Sequence, residues 1–273
     1  MSPVIFRKHF LATTYFPDTK DNLMNNVGDL LSARNRFIKE KPTNLVFLLS
    51  KRYKWMNKYI NGKKTVYELG AGAGFSKFFI KNKNLQITDV SHHYWIDNYV
   101  DALNLPFKKN SVDIFICSHM IHHLANPYKF LKNAIDCLNP NGKIIISDIN
   151  TSFIMRLIIR IMRHEGWSYE PDVFSSKSIC NDPSDPWSGN CAVPQMLFSN
   201  KYKFKKYFPE VDIVHFKLKE FLIFPLSGGV IATTSTINFP RYILNVINVL
   251  DNILIKISKK IFPFGMEVVL KKK

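Results

Sequence analysis

A glycine-rich turn and the aspartate that follows it are the residues of this sequence best suited to bind a ligand. The turn, residues 70–74, follows an apolar segment, and its glycines let the backbone approach a ligand closely. Asp89 comes 19 residues after Gly70, where a carboxylate can accept both hydroxyls of a ribose. A dinucleotide-binding G-x-G-x-x-G pattern would need glycine where Phe75 stands. The two features therefore predict a site for a ribose-containing ligand other than a dinucleotide.

Histidines are the side chains that exchange a proton most readily near neutral pH. His119, His122 and His123 follow an apolar run at 112–118, and His164 lies further along. An open α/β sheet places its site at the carboxyl ends of the strands, so these histidines are candidate general bases. The alternative is structural, with His123 packed or hydrogen-bonded within its own turn.

The elements that must position these residues alternate between strands and helices from residue 65 onwards. Strands are predicted at 65–69, 85–90, 99–101, 112–118 and 143–148, and helices at 75–82 and 127–138. This alternation predicts an α/β fold, a doubly wound and mostly parallel sheet.

The remaining segments predict additions to that sheet. Residues 1–60 contain two helical runs separated at Pro42, which indicates an N-terminal helical extension to a domain at 61–273. The segment 151–200 is too long for a simple crossover and is predicted to be a cap insertion. A helix at 200–208, a strand at 211–217 and an antiparallel last strand at 267–270 follow. Residues 219–263 form a second predicted insertion, which carries an amphipathic helix at 240–262.

Four segments in the centre of the chain carry motifs. Residues 68–74 read E-L-G-x-G-x-G, residues 101–107 D-A-x-x-L-P-F, residues 122–127 H-H-L-x-x-P, and residues 140–143 P-N-G-K. In this order they resemble the class I S-adenosylmethionine-dependent methyltransferases, among which the group with the ubiquinone and menaquinone biosynthesis enzymes is most similar by pattern. The resemblance implies a Rossmann-like fold and S-adenosyl-L-methionine as cofactor.

The resemblance also implies roles for matching residues. In that family the turn glycines cradle the amino-acid end of the cofactor, the acidic residue at the Glu68 position orders the loop, and the acid at Asp101 lies beside the adenine. The residues implied in cofactor binding are Glu68, Gly70, Ala71, Gly72, Gly74, Asp89, Val90, Asp101, Ala102, Ser118 and His119. A general base is needed only when the acceptor is a hydroxyl or a protonated amine, and its candidates are His122, His123 and His164.

The acceptor is predicted to be a small molecule or a lipid-linked group. Residues 164–167 (His-Glu-Gly-Trp) and 188–194 resemble elements of a bacterial subgroup and are expected to form part of the acceptor pocket; the alternative is a solvated lid. A rival function is RNA methylation, although no RNA-binding module or base-methylation motif follows strand four, so nucleic acid is the less favoured partner. A second rival is a regulatory subunit that binds the cofactor without catalysis.

The charge of the chain is concentrated at its two ends. Of the formal +17, residues 1–60 carry +7 and residues 201–273 carry +8. The predicted helix at 240–262 has an apolar stripe and three lysines near its end, which is compatible with peripheral contact with an anionic membrane. The alternatives are a composition set by an AT-rich genome and a helix packed on the sheet or on a second subunit. No secretory signal and no C-x-x-C pair occur, so we expect a cytoplasmic protein without a zinc site.

Overall fold

The computed structural model describes residues 13–17, 29–163, 165–231 and 234–273, and within them the chain forms one seven-stranded sheet and one two-stranded sheet. The large sheet contains β2 (Val66–Leu69), β3 (Leu85–Asp89), β4 (Asn98–Tyr99), β5 (Val112–Ser118), β6 (Leu138–Ile149), β8 (Val211–Lys219) and β9 (Gly265–Lys272). The small sheet pairs β1 (Thr14–Tyr15) with β7 (Trp167–Ser168).

The order of the large sheet is β4-β3-β2-β5-β6-β9-β8. The first five strands are mutually parallel, whereas β9 runs antiparallel to both β6 and β8. This confirms the predicted Rossmann-like, mostly parallel sheet with an antiparallel last strand. Because the chain builds outwards from β2 to β4 and then returns to place β5 beside β2, the carboxyl ends of β2 and β5 form the switch point at which such sheets bind ligands.

Helices cover both faces of this sheet. They are α1 (Leu30–Glu40), α2 (Thr43–Tyr53), α3 (Asn57–Ile60), α4 (Pro127–Cys137), α5 (Phe153–Met162), α6 (Val193–Phe198), α7 (Lys201–Tyr207), α8 (Ile223–Leu226) and α9 (Arg241–Ile257). Polar side chains start several of them: Asp29, Asn126 and Ser152 each accept a hydrogen bond from a backbone N–H in the first turn of α1, α4 and α5. These bonds satisfy amides that have no partner within the helix.

The alternation of side chains along β5 divides the interior into two cores. Phe115 and Cys117 pack with α4 and α6, while Ile114 and Ile116 pack beneath α1 and α2. The described helices of the predicted N-terminal extension therefore share a core with the parallel strands. All four cysteines, at 117, 137, 180 and 191, are buried free thiols.

The structure shifts three predicted elements. The helix expected at 75–82 is only a 3₁₀ turn, Phe75–Phe78, because it ends where Phe79 leaves the helical conformation. Strand β6 begins at Leu138 rather than at 143 and passes through Asn141 in a left-handed conformation. Helix α9 ends at Ile257 rather than at 262.

Candidate functional site

A cavity of about 610 Å³ opens over the carboxyl ends of the parallel strands. One part, the glycine-loop end, is lined by Gly70, Ala71, Gly72, Asp89, Val90, Asp101 and Ala102. The other part, the histidine end, is lined by His119, His122, His123, Glu165 and Trp187, and Ser118 lies between the two. Since the strand order runs β3-β2-β5-β6, the cavity extends from Asp89 at the end of β3 to the end of β6.

The glycines of the turn are required by its backbone. Gly70, Gly72 and Gly74 all have positive φ angles, of 65°, 52° and 67°, which L side chains rarely adopt. A Cβ added at Gly70 would also lie 2.5 Å from Cγ of Met120. At Gly72 only Leu30 comes near, at 3.5 Å, so this residue presents bare backbone to the cavity.

Asp89 ties this turn to the end of β3. Its Oδ2 accepts a hydrogen bond from the amide of Gly72 at 2.8 Å, and its Oδ1 accepts one from the amide of Ser91 at 2.9 Å. An ionised carboxylate has about four acceptor positions. Asp89 therefore keeps acceptor capacity for hydroxyl groups of a ligand in the cavity that it lines.

Glu68 supports the turn from below and does not line the cavity. Its side chain is 1% exposed and accepts a hydrogen bond from the hydroxyl of Ser76 at the start of the 3₁₀ turn. Burial, aided by the nearby charge of Asp89, raises the pKa of Glu68 to about 8 against the opposing bond from Ser76. Gly74 does not line the cavity either, because Ile87 and Trp95 cover it.

The predicted adenine-side residues lie in the next loop. Asp101 accepts hydrogen bonds from the amide of Leu103 at 2.8 Å and from the side chain of Asn104 at 2.5 Å. These bonds fix the loop in which Asp101 and Ala102 line the cavity.

At the histidine end, His122 and His123 stand on a 3₁₀ turn, Ile121–His123, directly after β5. Nδ1 of His122 is 2.5 Å from Oδ1 of Asp148 near the end of β6, and Nδ1 of His123 is 3.1 Å from the backbone oxygen of Ser188. Their Nε2 atoms face Oε1 of Glu165, at 3.7 and 3.9 Å. Both rings are thus held from behind and directed at one carboxylate.

Burial alone would lower the pKa of His122, but the carboxylates of Asp148 and Glu165 outweigh burial and raise it to about 10. Burial and the nearby charge of His122 lower the pKa of His123 to about 4. Burial also lowers the pKa of His119 well below its usual value, with Arg52 and His122 acting in the same direction. Two neutral imidazoles therefore border the cavity beside a charged one.

The loop that carries Glu165 is fastened to the histidine turn through buried amides. The side chain of Asn181 donates to the backbone oxygens of His122 and Leu124, at 2.8 and 2.9 Å. The backbone N–H of Asn190 donates to His122, while its side chain bonds both backbone groups of Ser168. These contacts hold the predicted cap against the turn, which explains how residues distant in sequence converge.

Apolar side chains complete the wall of the cavity. Met155, Ile159 and Met162 of α5 line one side, and Phe224 and Phe264 line another. The buried Arg52 also reaches this wall, where its guanidinium is 2.7 Å from a carboxylate oxygen of Glu220. The cavity therefore offers a largely apolar surface next to the histidines.

The structure brings together most of the residues singled out in the sequence. Nine of the eleven residues expected on the cofactor side line the cavity, Glu68 and Gly74 being the two that do not. His122 and His123 line it as well, whereas His164 lies outside the described residues. Sequence reasoning missed Asp148 and the roles of Asn181 and Asn190. It noticed Glu165 only as part of a motif, because contacts of such long range leave no signal in local spacing.

Comparisons with known proteins place this geometry in context. Residues 68–146 match the Methyltransf_11 family, a methyltransferase domain. Among solved structures, the chain is similar to an S-adenosylmethionine-dependent methyltransferase from Archaeoglobus fulgidus, with 18% identity and a TM-score of 0.52 over 86% of this chain and 97% of that one. A second similar structure is an S-adenosylmethionine-dependent methyltransferase from Methanosarcina mazei, with 11% identity and a TM-score of 0.41 over 81% and 97% of the two chains. No curated protein matches the sequence.

Proposed function

We propose that this chain, an S-adenosylmethionine-dependent methyltransferase, transfers the methyl group to a small-molecule or lipid-linked acceptor held at the histidine end of the cavity. The observation that carries the proposal is the continuity of one cavity from the glycine turn to the histidines and the apolar wall of α5. Apolar pockets with a few convergent polar groups are typical of sites for small organic ligands.

The glycine-loop end fits S-adenosylmethionine. Gly70 and Gly72 leave the backbone of the turn bare, which suits close approach of the amino-acid part of the cofactor. Asp89 retains acceptor positions for the two ribose hydroxyls, and Asp101 with Ala102 borders the space for the adenine. Glu68 does not contact the cofactor in this arrangement; it fixes the glycine turn through its hydrogen bond with Ser76.

When bound, S-adenosylmethionine supplies a methyl carbon on a positively charged sulfur: the acceptor atom bonds to this carbon, the carbon–sulfur electron pair stays on sulfur, and the acceptor atom releases its proton. The chain must therefore align the acceptor and receive that proton when the acceptor is a hydroxyl or a protonated amine. His123, which is neutral, and Glu165 line the cavity at this end, and we assign them this task, with the charged His122 held between Glu165 and Asp148. His164, the residue before Glu165, remains a candidate for the same task.

Helix α9 supports peripheral attachment to an anionic membrane. The buried side of this helix consists of Leu244, Asp251 and Ile255. The outward side carries a second apolar face. That face contains Tyr242, Val246, Val249, Leu250, Ile253 and Ile257, all exposed. Soluble proteins rarely expose so continuous an apolar stripe without a partner.

The charges beside this face indicate the kind of partner. Lys256 in the last turn of α9, and Lys259 and Lys260 just after the helix, are exposed, and such lysines favour anionic headgroups. The start of α5 hydrogen-bonds to Lys260 and Ile261, so the helix that lines the cavity adjoins this surface. A lipid-linked acceptor could therefore reach the cavity from the membrane that α9 contacts. Among the described helices, none combines the length and apolar character required to cross a bilayer.

The acceptor class is tested by following the methyl group. The purified chain is incubated with methyl-labelled S-adenosylmethionine and a whole-cell extract, and the label is measured in the lipid, small-molecule, protein and nucleic-acid fractions. We expect label in the lipid or small-molecule fraction and none with the Gly72→Arg variant. Label confined to nucleic acid or protein would contradict the proposal, and cofactor binding without turnover in any fraction would favour a regulatory subunit.

A further inference from the structure

Possible metal-ligand atoms of His122, His123 and Glu165 lie close together at the histidine end of the cavity. Each imidazole has Nδ1 against an oxygen acceptor, the carboxylate of Asp148 or the backbone of Ser188. If an ion displaces the second proton of His122, each ring keeps a proton on Nδ1, and both Nε2 atoms offer a lone pair on the side of Glu165. The possible ligand atoms of the three residues all lie within 4.8 Å of one another.

The spacing of these atoms suits a metal ion better than direct hydrogen bonds. The two distances from Nε2 to Oε1 of Glu165, 3.7 and 3.9 Å, exceed the length of an ordinary hydrogen bond. Ligand atoms about 2 Å from a tetrahedral zinc ion lie about 3.3 Å apart, so both distances to Glu165 would shorten by about half an ångström when an ion binds, and the widest pair, within 4.8 Å, would close further.

The surroundings of the three residues resemble those that orient metal ligands elsewhere. Histidine ligands nearly always donate their second ring N–H to a carboxylate or a backbone oxygen, as both do here. The remaining carboxylate oxygen of Glu165, Oε2, accepts a hydrogen bond from the thiol of Cys191 at 3.0 Å. Gly189 keeps the site clear, because a Cβ there would lie 3.2 Å from Cγ of Glu165.

We propose that His122, His123 and Glu165 bind a divalent transition-metal ion, with zinc as the ion that best fits two imidazoles and one carboxylate. Imidazole nitrogens favour zinc and its neighbours over magnesium or calcium, which prefer oxygen ligands. Three protein ligands are the number that catalytic zinc sites use, with further positions open to a substrate. Here the open side faces the cavity, since all three residues line it.

The role of the ion rests on the proposed function, whereas its binding does not. A Lewis acid at this place would lower the pKa of a hydroxyl or thiol on the acceptor and so make it a better nucleophile for the methyl group. The competing state is a metal-free cluster in which a charged His122 lies between the carboxylates of Asp148 and Glu165. The two states differ in whether the chain takes up an ion at all.

The experiment titrates the full-length, chelator-treated chain with Co²⁺, read by its visible absorption, and with Zn²⁺, read by calorimetry and by competition with Co²⁺. We expect one ion per chain and a fall in affinity of at least about tenfold in both Glu165→Gln and His123→Asn, a loss typical of weakened metal sites. The matched control is His92→Asn/His93→Asn, which removes an adjacent histidine pair whose rings stack on Tyr99 and Trp95. It should bind as the wild type does.

Absence of stoichiometric binding in the wild type, or equal binding in Glu165→Gln, would overturn the site. Circular dichroism of each variant verifies its fold. If one of the two ligand variants does not fold, the other still tests the site. S-adenosylmethionine affinity, measured on the same metal-free protein, separates this result from the proposed function. If the wild type did not bind S-adenosylmethionine, that result would contradict the proposed function. The metal titration would still test the metal site.

Discussion

The two ends of the cavity are built from different parts of the chain. The glycine-loop end consists mainly of backbone from residues 66–102, held by Asp89 and by the buried Glu68. The histidine end consists of side chains from three separate segments, which buried amides such as Asn190 fasten together. Because the hydrogen bonds described for each end lie within that end, we expect a change at one end to leave the other largely intact. The predictions below test that independence, from the largest expected effect to the smallest.

The largest effect should come from the carboxyl beneath the glycine turn. The pKa of Glu68 is raised from 4.5 to about 8 in the folded chain, so the folded state holds this proton more tightly than the unfolded state. Stability from this group is complete below about pH 4.5 and is lost as the pH rises toward 8. Since each pKa unit corresponds to about 1.4 kcal/mol, the free energy of unfolding should fall by several kcal/mol over this range.

Urea unfolding of the wild type and of Glu68→Gln at pH 5, 6, 7 and 8 measures this effect. The amide does not titrate, so the variant should lose less stability as the pH rises. All other titrating groups, including the histidines, are common to both proteins. Parallel stability curves would show that Glu68 ionises in the folded chain as it does in the unfolded one.

The second prediction concerns the cofactor and the bare backbone of Gly72. Arginine at this position would occupy the cavity beside the turn, and we expect S-adenosylmethionine to bind at least about 100-fold more weakly, a loss of about 3 kcal/mol. The matched control is Gly62→Arg, because Gly62 also has a positive φ but has no atom within 4 Å of an added Cβ. Calorimetry giving equal affinities for the two variants would contradict the placement of the cofactor at this turn.

The third prediction breaks the histidine end alone. Asn190→Ala leaves the buried N–H and oxygen of Ser168 without their side-chain partner, which should cost about 2 kcal/mol of stability. We expect turnover to fall with the displaced loop, while the cofactor dissociation constant stays within about twofold of the wild type. Asn98→Ala, which removes an exposed bond to Gln86, serves as the control. A matching loss of cofactor affinity would show that the two ends are not independent.

The same division explains how far sequence reasoning reached. The glycine turn, Asp89 and the parallel strands were predictable because they depend on local spacing and on hydrophobic periodicity. Asp148 looks like any strand residue, and its bond to His122 spans 26 positions. Asn181 carries no signal in the sequence for the same reason, and Asn190 was noticed only within the 188–194 motif, not for these bonds. Their function is to bond backbone groups of distant segments, which no local pattern encodes.

Helix α9 shows a different limit of periodicity. The sequence predicted one apolar stripe, made of Ile243, Ile247, Leu250, Leu254, Ile257 and Ile261. In the structure Ile243, Ile247 and Leu254 are half-buried, whereas Leu250, Ile257 and Ile261 are exposed. The buried side instead includes Asp251, whose carboxylate accepts backbone N–H groups from residues 221–223 at the start of α8. A helix with apolar residues on two of its sides does not reveal which side faces the core.

The smallest expected effect concerns the outward face of α9. If this face lies on an anionic bilayer, replacing Lys256 by Ala should weaken binding to anionic vesicles about fivefold, since one lysine near such a surface contributes about 1 kcal/mol. Ile253→Ser should weaken binding as well, because Ile253 is exposed and would lose its contact with the acyl chains. The control is Lys83→Ala, an exposed lysine near the amino end of β3, which should bind as the wild type does. Sedimentation with anionic and neutral vesicles at low and high salt measures all three. Salt should weaken the contribution of the lysines to vesicle binding, because mobile ions screen charges at a surface. It should weaken the contribution of the apolar side chains less. Failure of the wild type to sediment with anionic vesicles at low salt would remove the membrane as the partner of this face.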